Sequence, residues 1–294
     1  MLDTVDMLKS YRTPEVRDLA WAVLSAPLAQ IEGETDWPSG DWYRCAYHNI
    51  EAQLRELDRK PTALLTIIGQ RNASRLGFYF EALLEMWCEL EVAIERVAAN
   101  PQITRADGST QGAFDFIVKV NGQVEHWESA VKFYLGQASP NDPNCSLWYG
   151  PSRKDRLDIK LEHMQGTQLR LGKTAEGRAW LDSQGLEIQR TRSIVKGCAF
   201  YPSEQTIATP EHSTGEHSKS VWMESSHFEL KYRERGRWIH LPRLKWLAPR
   251  NEAELVEHSE VSTIDKPALL TRCENGWEVE RVFVVPNGWG NPAA

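Results

Sequence analysis

Cysteine is scarce and poorly spaced. Cys45, Cys88, Cys145, Cys198 and Cys273 make an odd number with no C-x-x-C pair. This argues against a disulfide framework and a structural zinc, and for reduced thiols in a cytoplasmic compartment. Long apolar runs are missing as well. No window approaches the length needed to span a bilayer, and the opening MLDTVDMLKS is acidic, without the apolar core of a signal peptide. The reading is a soluble, cytoplasmic protein with no membrane partner. Common catalytic signatures are also absent: neither a G-x-S-x-G elbow nor a G-x-G-x-x-G fingerprint occurs. Gly172-Lys173-Thr174 resembles the end of a phosphate-binding loop, but the upstream glycine falls at Thr167 and a helix precedes it where a strand is needed. His212, His217 and His227 lie in or beside a polar stretch without the spacing of a zinc site and read as exposed loop histidines. There is no surplus of basic charge. The net charge of −7 counts against nucleic acid as a partner.

The 294 residues suffice for a large core in one domain or two, and 41% hydrophobic with 26% charged residues is ordinary for a globular chain. Twelve tryptophans are available to anchor short β segments. Charge is segregated along the chain, which leaves room for nucleic acid despite the acidic total. Lys231 to Arg250 holds seven Lys/Arg against Glu234 alone, and Gly150 to Lys196 holds ten basic residues against six acids. Within the first of these, KYRERGRWIHLPRLKWL interleaves aromatic and basic side chains. A single-strand nucleic-acid surface built on Arg235, Arg237, Trp238, Arg243, Lys245 and Trp246 is one reading. A solvated basic strand whose aromatics face the core is the other.

The most informative stretch is GAFDFIVKVNGQVEHWESAVKFYLG, from Gly112 to Gly136. Asn121-Gly122 between two β-rich runs predicts a two-residue type I′ hairpin, because that turn needs positive φ at both central residues. Val120 then faces Gln123, and Asp115 faces Glu128. Opposed residues share a sheet face, so these carboxylates repel unless a cation lies between them. Lys119, His126, Ala130 and Lys132 fall on the same face. Phe114, Phe116, Val118, Trp127, Val131 and Phe133 fall on the other, which must be buried. A divalent-metal site is one reading of the acid face, and an exposed hairpin with scattered charges is the other.

Around this hairpin the chain reads as mixed α and β. Thr13-Pro14-Glu15 starts a helix to about Ala26. A second amphipathic helix covers about Trp42 to Leu57, and a short apolar piece runs from Ala63 to Ile68. The longest helical period spans Ser74 to Val97, with Leu76, Phe80, Leu83, Trp87, Leu90, Ile94 and Val97 on its stripe. Glu81 sits at the edge of that stripe, a solvated helix carboxylate by its surroundings alone. Asp155 opens a helix through about Leu171, and another covers Thr174 to Ser183. Glu187 to Tyr201 reads as one long strand or two, and Pro202 to Ser220 as a polar loop. VWMESSHFELKY, GRWIHLP and WEVERVFVVP, the last after Asn275-Gly276, read as strands.

The phrases RLGFYFEALLE (75–85), GAFDFIV (112–118), HWESAVKFYLG (126–136) and GPSRKDRLDIKL (150–161) resemble an uncharacterised bacterial family of unknown function. That family has been placed, by its pattern, among the restriction-endonuclease-like, PD-(D/E)XK proteins. The resemblance implies a mixed sheet flanked by helices in the order α-β-β-β-α-β, and metal-dependent phosphodiester cleavage of nucleic acid. It matches Glu81 to the helix acid, Asp115 to the strand Asp and Glu128 to the second strand acid. Two residues after Glu128, where the family lysine belongs, stands Ala130. Lys132 shares the face but lies about 13 Å from Glu128 along an extended strand.

The resulting expectation is a Mg²⁺- or Mn²⁺-dependent nuclease. Asp115 and Glu128 hold the metal, Lys132 (or less favourably Lys119) and Glu81 complete the catalytic set, and Arg153, Lys154 and Lys160 bind phosphate. The competing expectations are a catalytically degenerate nucleic-acid binder on the same fold and a protein-interaction scaffold. The expected organisation is an N-terminal helical extension over 1–70, a nuclease-like core over 71–201 and a β-rich region over 202–294.

Overall fold

A computed structural model describes residues 4–71, 73–140, 142, 144–255 and 264–290. The N-terminal part is helical: α1 (Thr4–Lys9), α2 (Pro14–Leu24), α3 (Gly40–Arg59), α4 (Thr62–Gln70) and α5 (Leu76–Leu90). Pro14 opens α2 where its missing N–H costs nothing, and the Ser39 hydroxyl caps α3 by accepting from the Trp42 N–H. Then come β1 (Ile94–Ala99), β2 (Gln102–Thr104), β3 (Thr110–Ala113), β4 (Phe116–Val120), β5 (Gln123–Ala138) and β6 (Ser146–Tyr149). Helix α6 (Leu157–Gly166), a 3-10 turn (Gln168–Lys173) and α7 (Ala175–Ser183) lead to β7 (Arg190–Pro202) and β8 (Ser218–Glu224). The chain finishes with α8 (Ser225–Lys231), β9 (Trp238–His240), β10 (Ala268–Glu274) and β11 (Trp277–Val285).

Nine of these strands form one mixed sheet in the order β1-β4-β5-β7-β8-β11-β10-β9, with β6 on the far end of β5. The β1-β4 and β4-β5 pairs are antiparallel, while β5-β7 and β7-β8 are parallel. With the separate β2–β3 ribbon, β6 and α7 set aside, the elements α5, β1, β4, β5, α6 and β7 follow one another as α-β-β-β-α-β. The parallel crossover from β5 to β7 needs a helical connection, which α6 and α7 supply. Helices dominate the N-terminal part and strands the C-terminal part, as the sequence suggests. Residues on either side of 202 share the one sheet.

Each face of the sheet is buried. Phe116, Val118, Trp127, Val131 and Phe133 pack with α2, α3, α5 and the segment around Trp246 to Leu255. Ala130 and Tyr134, on the acid face of β5, pack under Leu157, Leu161, Met164 and Leu169. The N- and C-terminal parts are further joined by a buried pair, Asp18 and Arg250 at 2.7 Å, to which the Tyr79 hydroxyl also donates. One close approach in the sheet demands glycine. Gly197 has φ 147°, and a Cβ there would lie 1.6 Å from the Lys132 carbonyl oxygen on β5.

Several boundaries differ from the sequence reading. The 74–97 helix stops at Leu90, and Ile94 and Val97 belong to β1; three residues apart, they share a helix face but fall on opposite faces of a strand, so the helical spacing ran past the end of the helix. The helix expected through Leu171 ends at Gly166 and continues as the 3-10 turn. Ser225 to Lys231, within a run read as strand, is helical. Phe114 lies outside β4, so it leaves the alternation and joins Ile117, Val124 and Leu171 on the acid side. His217 is buried and bonds the Tyr201 hydroxyl at 3.0 Å, so it is not an exposed loop histidine.

Candidate functional site

The hairpin has the expected register: Val120 faces Gln123, Phe116 faces Trp127, and both turn residues have positive φ. Asp115 forms a bend just before β4, and its N–H points to Glu128 Oε1 at 3.4 Å. Its carboxylate oxygen Oδ2 accepts from the Ser129 N–H at 2.8 Å and the Ser129 hydroxyl at 3.0 Å. Glu128 is fully buried. Its Oε1 meets His126 Nε2 at 2.8 Å, and its Oε2 accepts from Gln168 Nε2 at 2.8 Å. The Gln168 carbonyl in turn accepts from Lys160 Nζ at 2.6 Å. Glu81 approaches from α5, where its Oε2 accepts from Asn100 Nδ2 at 2.8 Å and Arg71 Nη1 at 3.1 Å. Asn100 follows β1 directly and donates its own N–H to the Asp115 carbonyl at 3.0 Å.

Burial, then the charge of Glu128, pushes the Asp115 carboxyl up to about 7 against the two Ser129 donors. Burial raises Glu128 to about 7 as well, opposed by the Asp115 N–H, Lys160 and Gln168. Glu81 is raised by burial and by Asp115, against Asn100 and Arg71. His126 is pushed down to about 4 by burial, so it is neutral near pH 7, with its Nε2 2.8 Å from Glu128 Oε1. Lys160 is lowered by burial and by the nearby Lys132 ammonium. The result is three interacting carboxyls with one lysine linked to them through an amide.

Lys132 does not fill the position expected of it. Its ammonium is committed to Asp155, which also accepts from the Tyr134 hydroxyl at 3.2 Å. A straight β5 carries Lys132 four residues past Glu128, and Asp155, just before α6, takes it there. Lys119 pairs with Glu95 on the exposed side. Lys160, expected only as a phosphate contact, is the lysine that the fold brings to the acids. Gln168 and Asn100 were not legible as site residues, because each is brought in by a chain reversal that carries no local motif; Ser129, across the legible hairpin from Asp115, was passed over because a serine beside Glu128 has no distinctive signal.

Residues 17–285 match a family described as a domain of unknown function (DUF1853). The chain belongs to that family. No curated protein and no solved structure matches. In this DUF1853 chain, no three Asp, Glu, His or Cys side chains converge as a metal cage among the described residues. A divalent ion would be held by Asp115 and Glu128 alone and otherwise by water and phosphate. That fits Mg²⁺, which keeps several waters and takes one or two carboxylates. The donor set is oxygen, and burial is the main cause that raises both carboxyls.

The remaining expected site residues are dispersed. Arg153 is structural: it donates to Gln137 Oε1 at 2.7 Å and lies over the Tyr149 and Trp289 rings. Lys154 is exposed ahead of α6. The basic, aromatic-rich stretch is no stacking surface, because Trp238 and Trp246 are buried and donate their indole N–H groups to Tyr232 and Leu241 carbonyls. Arg235 lies over Tyr232 and pairs with Glu280, and Lys245 donates to the Glu254 carbonyl. Arg237 is exposed, and Arg243 lies 5.8 Å from the Trp246 ring. Among the described residues no helix is long and apolar enough to cross a membrane.

Proposed function

We propose that this protein is a Mg²⁺- or Mn²⁺-dependent nuclease of the PD-(D/E)XK type. Asp115 and Glu128 hold the metal, Glu81 acts as the third acid and Lys160 replaces the missing strand lysine. One observation supports the reading: Asn100 bonds both the Glu81 carboxylate at 2.8 Å and the Asp115 carbonyl at 3.0 Å, and the Asp115 N–H lies 3.4 Å from Glu128 Oε1, so acids from three separate elements are linked through one residue and one peptide. A bound divalent ion supplies a more acidic water and neutralises charge building on the phosphate. Ser129 fixes the Asp115 carboxylate, and His126 fixes Glu128 Oε1. Lys160 Nζ holds positive charge beside the acids at a site where burial makes proton release easier.

A second reading, a nucleic-acid binder that has lost turnover, is favoured by the full burial of Glu128 and the engagement of both its oxygens. The test is cleavage of mixed DNA and RNA substrates with Mg²⁺ or Mn²⁺ by wild type, Asp115→Ala, Glu128→Ala and Lys160→Met. The nuclease reading expects each substitution to lower the rate by about 100-fold or more, with Lys132→Met milder. Binding of nucleic acid by all forms without cleavage by any would support the second reading.

A further inference from the structure

Among the Phe, Trp and Tyr side chains of the described residues, Phe78 alone is exposed. Its 47% exposure is costly for so large an apolar ring. Its position gives that exposure meaning. Phe78 lies on α5 three residues before Glu81, and side chains so spaced are neighbours on one helix face. The surroundings are open, and Arg75 lies three residues before Phe78 at the start of the helix. Ser74, Arg75 and Gly77 are exposed beside it, and a Cβ built on Gly77 would meet nothing within 4 Å. Behind it Arg71 spans Glu81 and Glu85.

We infer that Phe78 is a stacking platform for an unpaired nucleobase next to the cleaved phosphate, so that the substrate is single-stranded nucleic acid. A ring can stack only on a base that has left its own stack, which favours single strands, and such stacking tolerates any base because each has a π-face. In a duplex the base faces are already covered, and Phe78 would meet only sugar and phosphate. Arg75, at the start of the same helix, is placed to follow the backbone of the strand. The inference rests on the nuclease reading for the location of the phosphate, but stacking itself needs no metal and no turnover.

The test is therefore a binding measurement in EDTA, with a fluorescein-labelled oligothymidylate and a hairpin duplex of equal length. A 2-aminopurine oligonucleotide reports stacking directly. Phe78→Ala is expected to weaken single-strand binding about tenfold, to abolish the quenching of 2-aminopurine and to leave duplex binding unchanged. Phe78→Trp is expected to restore both single-strand signals. Melting curves show whether either variant is misfolded; an exposed position predicts that neither is. Equal single-strand affinity for wild type and Phe78→Ala, an equal loss on the duplex, or no binding by wild type would each overturn the inference. Single-strand binding that depends on Phe78 without cleavage in Mg²⁺ would leave it standing while the nuclease reading fell.

Discussion

Glu128→Gln should make the protein more stable at pH 8 and no more stable at pH 5. Burial holds the Glu128 carboxyl at about 7, against an ordinary value of 4.5. The native state therefore binds this proton more tightly than the unfolded chain. The stability that Glu128 contributes is intact below about pH 4.5 and is lost as the pH rises through about 7. Each pH unit is worth about 1.4 kcal/mol, so keeping the carboxylate ionised at pH 8 costs the native state roughly 3 kcal/mol. The amide removes that cost and the repulsion felt by Asp115, but its single oxygen cannot accept both from Gln168 Nε2 and from the Asp115 N–H, which the two carboxylate oxygens serve separately. That lost bond offsets about 1 kcal/mol. The net expectation is a gain of about 2 kcal/mol at pH 8 and, with only about 0.7 kcal/mol of ionisation cost to relieve half a unit above 4.5, no gain at pH 5, read from urea unfolding in EDTA. A destabilisation that is the same at both pH values would refute the reasoning, because it would mean that Glu128 carries no buried charge to relieve.

Other outcomes follow from the same physics. Lys196 is fully buried against the Tyr43 ring and the Ser25 and Val23 carbonyls, and burial holds its ammonium well below the ordinary value. The unfolded chain therefore binds more protons, stability should rise from pH 7 towards pH 10, and Lys196→Met should remove that slope in unfolding measurements. Gly197→Ala should cost roughly 3 kcal/mol or more by driving β7 off β5, visible as lost amide-exchange protection in both strands. Trp246→Ala should cost about 3–5 kcal/mol, since its ring packs on Phe133 and Phe283. The same variant should leave nucleic-acid affinity unchanged in the folded fraction.

The hairpin was legible because its turn chemistry is local: Asn121-Gly122 sets the register, and the register sets which acids face each other. The face opposite the acids was legible for the same reason, apart from Phe114, whose backbone has already left the strand. What sequence could not supply was the cover on the acid face. Gln168 reaches Glu128, and Met164 and Leu169 cover Ala130 and Tyr134, only after α6 and the 3-10 turn fold back across β5, and Lys160 becomes the site lysine by that same reversal. Lys132 looked better placed because distance along a strand can be counted, whereas distance across a crossover cannot. The basic, aromatic-rich stretch was ambiguous for another reason. Composition left two readings open, a stacking surface or a basic strand with its aromatics in the core, and the tryptophans follow the second because each carries more apolar area than a short strand can leave in water.

The claim beneath the functional proposal is that Asp115, in the bend before β4, and Glu128, on β5, are held close because a cation belongs between them. Isothermal titration of Mn²⁺ at pH 8 addresses this without any substrate. The expected result is a binding event in wild type that persists in Lys132→Met and disappears in Asp115→Ala and in Glu128→Ala. Equal Mn²⁺ binding by wild type and both alanine variants, or no binding by wild type, would contradict it.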